Sequence, residues 1–153
     1  MNLKSIVFAL ISAAFMLLLL SCGGTPLTPE EALTKRAESM SLATSNEDWL
    51  EVHKYLSPRT REVCKSGEYA VFIGMAMGML KEFMEIPEDG KFTFSLLRVM
   101  VDGDIGRVYS EVKLDNEDWL KVEQEDNEGE GWVYVDGEWW HEEDDWETTC
   151  DFL

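Results

Sequence analysis

The sequence predicts an α+β domain in which three or four helices precede a curved antiparallel sheet of about four or five strands and pack on one of its faces. Apolar residues recur at helical spacing from residue 29 to residue 85, and the period changes to two near residue 91. Asp-Gly pairs at 102–103 and 136–137 are typical of tight hairpins between strands. Helices followed by strands, rather than alternating with them, indicate an α+β architecture.

The first helix has the clearest start signal. Thr28 is a good N-cap, Pro29 suits the first helical position, and Glu31 completes a capping box. Helices are predicted at residues 29–44, 47–56, 58–64 and 68–85. The last of these is so rich in apolar residues that we expect most of its surface to be covered.

Strands are predicted at residues 91–101, 106–114, 119–123, 132–135 and 138–142. In the first strand Arg98 falls in phase with Phe92, Phe94 and Leu96, which predicts a charge directed inward. Such a guanidinium would pair with a carboxylate or, alternatively, meet an anionic ligand. No internal repeat is visible.

The chain begins with Lys4 and a 15-residue apolar stretch, Ile6 to Leu20, which suits a signal peptide and falls short of a membrane-spanning helix. The stretch ends in Leu19-Leu20-Ser21-Cys22, which resembles the lipobox of bacterial lipoproteins. The resemblance implies cleavage before Cys22 and a lipid anchor on that cysteine, on the outer side of the bacterial cell membrane. The alternatives are an ordinary secretory signal and an uncleaved membrane helix.

This organisation divides the chain into three parts: a signal peptide at 1–21, a lipidated cysteine with a tether at 22–28, and one domain at 29–153 with an acidic tail. Gly23, rather than Asp, follows the cysteine, so outer-membrane sorting stays open.

The formal charge is −18, and residues 115–153 hold 16 acidic residues and one basic residue. Such a charge repels nucleic acid, which we exclude as a partner.

After lipidation of Cys22, two thiols remain, Cys64 and Cys150. In an oxidising compartment they are expected to form a disulfide, which would stabilise the fold by about 4.5 kcal/mol in the chain-entropy model. The alternative is a pair of unbonded, buried thiols.

The order of motifs resembles a nuclear transport factor 2-like domain, a cone-shaped α+β fold. The motifs are Thr28-Pro29-Glu30-Glu31-Ala32, Asn46-Glu47-Asp48-Trp49, Tyr55-Leu56-Ser57-Pro58, Val101-Asp102-Gly103-Asp104 and the closing Tyr134-Val135-Asp136-Gly137-Glu138-Trp139-Trp140. The resemblance covers residues 29–142 and implies helices packed on a curved sheet. Function varies across this superfamily, so the fold does not assign one.

No complete catalytic or metal-binding set is visible, and no cofactor is expected. His53 on the second helix is a weak candidate for a general base, although a structural histidine is the favoured interpretation. His141 lies near a strand end, where a metal or catalytic role is the alternative to a structural one. If the interior is hollow, its wall would be formed by Trp49, His53, Phe72, Met75, Met79, Phe94 and Arg98; plain core is the favoured interpretation of the methionines.

We therefore expect a non-catalytic lipoprotein that is held to the membrane through Cys22 and binds a small apolar ligand or an envelope protein. One alternative is an isomerase, dehydratase or hydrolase that uses His53 with a carboxylate in the cone. Another is a purely structural surface protein.

Overall fold

A computed structural model describes residues 26–87, 89–114 and 129–142 of the chain. Within these ranges the fold is α+β, and four helices precede four strands. The helices are α1 (Pro29–Ser45), α2 (Trp49–Val52), α3 (Pro58–Val63) and α4 (Ser66–Phe83), and a 3-10 turn (His53–Tyr55) follows α2. The strands are β1 (Phe92–Asp102), β2 (Ile105–Leu114), β3 (Glu130–Val135) and β4 (Glu138–Glu142).

Helix α1 begins at the predicted capping box. The backbone N–H of Thr28 donates to a Glu31 carboxylate oxygen at 2.8 Å, and the Glu31 N–H donates to the Thr28 hydroxyl at 3.2 Å. These two bonds satisfy amide groups that a helix start leaves without partners. Pro29 fits the first turn because that position needs no amide donor.

The four described strands form an open antiparallel sheet in the order β1-β2-β3-β4, so every neighbour in the sheet is a neighbour in sequence. The β1–β2 turn has Gly103 at a φ of 61°, and the β3–β4 turn has Asp136 at 53° and Gly137 at 88°. Both predicted hairpins are confirmed, because residues that tolerate positive φ stand where the turns need them.

One core lies between α1 and the sheet. It is formed by Leu33, Ala37, Val108, Trp132 and Trp139. Helix α1 comes so close to β2 that a Cβ at Gly106 would lie 2.4 Å from Leu33 Cδ2 and 3.2 Å from Trp139 Cζ3. The absence of a side chain at Gly106 therefore sets the depth at which α1 rests on the sheet.

A second core lies among the helices. It is formed by Ala43, Val52, Leu56, Cys64 and Tyr69. Helix α4 packs on α2 and on the 3-10 turn that follows it. Trp49 rests against Gly74 of α4, with 3.7 Å between the indole and the position of a Cβ.

The expectation that most of α4 is covered is wrong for one face. The side chains of Met75, Met79 and Phe83 are 60%, 62% and 87% exposed, and Val71 joins them one turn earlier. These four residues recur at four-residue spacing, so they form a single stripe along the helix. We call this stripe the α4 apolar face.

The predicted inward orientation of Arg98 is also wrong. The pairing of β1 with β2 shifts register between Leu96 and Arg98, which makes Leu97 an extra residue on β1. Such a bulge reverses the alternation of side chains beyond it. Arg98 is therefore exposed, and its guanidinium lies 4.1 Å from the centre of the Tyr109 ring.

Chain segments outside the sheet bond to both of its outer strands. The Ser57 N–H donates to the His141 carbonyl of β4 at 2.9 Å, and Leu56 forms a parallel bridge to the same residue. At the opposite edge the Phe94 N–H of β1 donates to the Ser45 hydroxyl at 2.9 Å.

No helix in the described ranges has the length and apolarity needed to cross a membrane. Several predictions lie outside the described residues. They are the signal peptide at 1–21, the lipid on Cys22, the strand at 119–123, Cys150 and the acidic tail.

Candidate functional site

A half-open cleft of about 500 Å³ lies at the amino-terminal end of α1. Helix α1 and the residue before Thr28 form one wall, through Leu27, Pro29, Ala32, Lys35, Arg36 and Ser39. The β-hairpin turns and the 3-10 turn form the other, through Tyr55, Gly103, Asp104, Tyr134, Gly137, Glu138 and Trp139. Volumes of this order are typical of small-molecule sites.

Aromatic rings line the inner part of the cleft. Tyr134 and Trp139 face each other across the β3–β4 hairpin, and their ring centres are 5.2 Å apart with an angle of 55° between the planes. The Trp139 indole N–H donates to the Pro29 carbonyl at 3.0 Å, so it joins the hairpin to the first turn of α1. Because the indole is buried and hydrogen-bonded, this part of the wall is pre-formed.

Arg36 closes one side of the cleft. Its guanidinium lies 3.4 Å from a Glu138 carboxylate oxygen, 5.3 Å from the centre of the Tyr55 ring and 4.4 Å from the Trp140 ring. An arginine with one carboxylate and two rings around it is fixed in place and partly neutralised. Arg36 therefore contributes to the wall of the cleft and is not a free cation that could pair with a ligand.

Two charged residues of the cleft have no ion-pair partner among the described residues. Lys35 lies on the exposed side of α1, and Asp104 lies in the β1–β2 turn. The Asp104 carbonyl accepts the Tyr134 N–H at 2.8 Å, which ties the two hairpins together at the cleft. The rim thus carries one positive and one negative group, while the interior is mostly aromatic and apolar.

None of the seven predicted ligand-pocket residues lines this cleft. Met75 and Met79 are on the exposed α4 apolar face, and Arg98 is on the outer face of the sheet. The half-buried Phe94 lies on β1 near the carboxyl end of α1, where its N–H meets Ser45. Trp49 and the half-buried Phe72 lie on α2 and α4, away from the cleft.

His53 belongs to the second core. It is only 8% exposed, and its Nε2 donates to the Cys64 carbonyl at 2.7 Å. The ring of Tyr69 lies 5.6 Å from its own ring. The hydrogen bond from His53 to the buried Cys64 carbonyl links the end of α2 to the end of α3. Neither Cys64 nor Tyr69 lines the cleft.

His141 is the more unusual histidine. It lies on β4, packed edge-on against Trp132 with ring centres 5.4 Å apart, and its Nδ1 is buried without a hydrogen-bond partner among the described residues. Burial lowers the pKa of His141 to about 4. The imidazole is therefore neutral at physiological pH.

Glu130 is the carboxylate nearest to His141, with 3.9 Å between the Oε2 and Nε2 atoms. Desolvation raises the pKa of Glu130, and a hydrogen bond from Ser110 opposes the change. Burial thus disfavours the charged form of each group, and neither group lines the cleft. Within the described ranges no three His, Cys, Asp or Glu side chains are grouped as metal ligands.

Cys64 is buried between α3 and α4 and is disulfide-bonded. Both other cysteines of the chain, Cys22 and Cys150, lie outside the described residues. The pairing with Cys150 stays a prediction.

No protein-family model matches this chain, and no curated protein or solved structure was found to match it. The class is therefore defined by the fold and the site alone: an α+β domain with a half-open aromatic cleft between its first helix and its hairpin turns.

Proposed function

We propose that this protein is a lipid-anchored, extracytoplasmic binding protein whose domain holds one small, largely apolar ligand in the cleft at the start of α1. The observation that carries the proposal is the cleft itself, with its aromatic interior formed by Tyr55, Tyr134 and Trp139. Apolar ligand sites are typically concave, aromatic and provided with a few polar groups, and this cleft has all three properties.

Binding without chemistry is favoured by the position of the titratable groups. Neither His53 nor His141 lines the cleft, and Arg36 and Glu138 form an ion pair with each other. General acid–base catalysis needs a titratable group within hydrogen-bond reach of the reacting atom. Besides the phenols of Tyr55 and Tyr134, the cleft offers Lys35 and Asp104 at its rim, and we assign these two charged groups to the orientation of a polar end of the ligand.

The anchor and the family are part of the same proposal. The apolar stretch that ends in Ser21-Cys22 supports a lipid on Cys22. Helices packed on an open antiparallel sheet support a relation to nuclear transport factor 2-like domains. Intact-mass analysis of the protein purified from bacterial membranes tests the anchor. Its chain should begin at residue 22 and carry the added mass of the acyl groups.

The cleft is tested with a neutral fluorescent probe, N-phenyl-1-naphthylamine, titrated into the purified protein. We expect one saturable site with a dissociation constant on the order of 10–100 µM, as for a modest apolar ligand of this size. Ser39→Trp places an indole in the cleft and should weaken binding at least tenfold. Glu38→Trp is the matched control, because it introduces the same side chain at the neighbouring exposed position.

Two results would overturn the assignment of the site. One is equal binding by the Ser39→Trp and Glu38→Trp variants. The other is loss of binding on Met79→Glu, which would place the probe on the α4 apolar face. Circular dichroism of each variant establishes that the helices are intact.

A further inference from the structure

The cleft lies at the point where the tether leaves the domain. Leu27 and Pro29 are part of its wall, and Leu27 is 54% exposed there. Only residues 23–26 separate Leu27 from Cys22. Five residue steps of fully extended chain reach at most about 18 Å. If Cys22 is acylated, as the proposed function holds, the cleft therefore cannot leave the neighbourhood of the lipid head groups.

The rest of the fold extends away from this point. Helix α1 has 17 residues, so its carboxyl end is about 25 Å from its start. There Glu47 binds Lys81 of α4 at 2.5 Å between carboxylate and ammonium. The carboxyl-terminal part of the α4 apolar face, near Phe83, thus lies at the end of α1 opposite the tether. Of the two apolar features, the cleft is the one that the tether keeps at the bilayer.

The chemistry of the cleft fits an amphiphile. Its interior is aromatic and apolar, and its rim carries Lys35 and Asp104, which have no ion-pair partner among the described residues. A positive and a negative group at one rim complement a head group that carries both charges. A purely anionic head group is disfavoured by Asp104 and by the net charge of −18.

We infer that the ligand of the cleft is a zwitterionic membrane amphiphile, taken from the bilayer to which the protein is tethered. Its apolar part lies against Tyr134 and Trp139, and its head group lies between Lys35 and Asp104. This inference rests on the proposed function, since it requires both the cleft as a binding site and the lipid on Cys22.

The test uses the mature lipidated protein, reconstituted into phosphatidylcholine vesicles that contain a phosphatidylcholine with a photoreactive diazirine in one acyl chain. After illumination, mass spectrometry locates the crosslinked peptides. We expect the crosslinks to concentrate on the start of α1 and on the β3–β4 hairpin. Ser39→Trp should reduce these crosslinks at least fivefold, whereas Glu38→Trp should leave them unchanged.

Recognition of the head group is tested with a matched pair of lysine variants. Lys35→Glu should reduce crosslinking several-fold, while Lys91→Glu makes the same charge change at the far end of the domain and should have no effect. Vesicles in which the photoreactive lipid is phosphatidylglycerol should give several-fold fewer cleft crosslinks. Equal labelling from both lipids, or an equal effect of both lysine variants, would overturn the zwitterionic assignment.

The two proposals fail in different ways. If the naphthylamine probe binds in a Ser39-dependent manner but photoreactive lipid does not label the cleft, the membrane source is wrong and the binding site stands. If the probe does not bind and the lipid labels only the tether, both proposals are wrong.

Discussion

Helices α1 and α4 are nearly equal in length, but they differ in the opposite sense in how apolar they are and how deeply they are buried. Helix α1 is polar over much of its surface, yet it buries Leu33 and Ala37 completely against the sheet. Helix α4 is the more apolar of the two, yet Met75, Met79 and Phe83 are exposed. The comparison teaches that burial follows the position of a helix in the layers of a fold, because among the described elements α1 packs on the sheet whereas α4 packs on α2 and the 3-10 turn.

The largest expected effect is at the centre of the α1–sheet core. Leu33→Ala removes a fully buried side chain of the core that includes Val108 and Trp139, and it should lower the free energy of unfolding by about 2–5 kcal/mol. Urea denaturation followed by tryptophan fluorescence measures this loss. A loss below about 1 kcal/mol would mean that α1 can be withdrawn from the sheet and that the comparison fails.

The next largest effect concerns the pH dependence of stability, because His141 is buried on the sheet and its imidazole is held neutral. The pKa of His141 is about 4 in the folded protein and about 6.5 in an unfolded chain. The unfolded chain therefore binds a proton first as pH falls. Stability that is fully present above pH 6.5 should be lost between pH 6.5 and 4, by about 3 kcal/mol in total.

This pH dependence is read as the difference between the wild type and His141→Gln in urea denaturation at pH 7, 5.5 and 4.5. The difference removes the contributions of the carboxylates, including Glu130, whose raised pKa acts in the opposite direction. Parallel pH profiles for the two proteins would show that His141 is solvated.

A pair of glycines sharpens the comparison further. Gly106→Ala places a Cβ 2.4 Å from Leu33 and should destabilise the fold by about 1–3 kcal/mol. Gly78→Ala on α4 meets nothing within 4 Å, and alanine is the better helix former, so it should stabilise by about 0.5–1 kcal/mol. Thermal unfolding should show a lower melting temperature for Gly106→Ala and a higher one for Gly78→Ala. A destabilising Gly78→Ala would mean that α4 is covered.

The smallest expected effect lies on the α4 apolar face. Phe83→Ser should change the free energy of unfolding by less than about 0.5 kcal/mol, because the ring is already 87% exposed. The same urea denaturation measures it, with Leu33→Ala as the reference. A loss comparable to that of a core residue would show that Phe83 is buried in solution.

Local signals in the sequence predicted most of the fold. The capping box at Thr28 and the Asp-Gly turns at 102–103 and 136–137 are short-range effects, and they place α1 and both hairpins within one or two residues. The bulge at Leu97 has no such signal, since neither glycine nor proline marks it. The phase of Arg98 could therefore not be read from alternation alone.

The cleft was missed for a different reason. Its walls come from four separate parts of the chain, residues 27–39, 55, 103–104 and 134–139, which are brought together only by the tertiary fold. Aromatic residues on both sides of Asp136-Gly137 were visible in the sequence, but which side faces a cavity depends on that fold. The methionines of α4 predict an adaptable wall shared with α2 and β1, but Met75 and Met79 lie on an exposed face of the helix.

The bond from Ser57 to the His141 carbonyl has a consequence for assembly. An open sheet ends in strands whose backbone groups can template the addition of a strand from another molecule, which is a common start of aggregation. At β4 that template is already occupied by the chain's own Leu56–Ser57 segment. Copies of this protein at high concentration would therefore be hindered from pairing with one another through this strand.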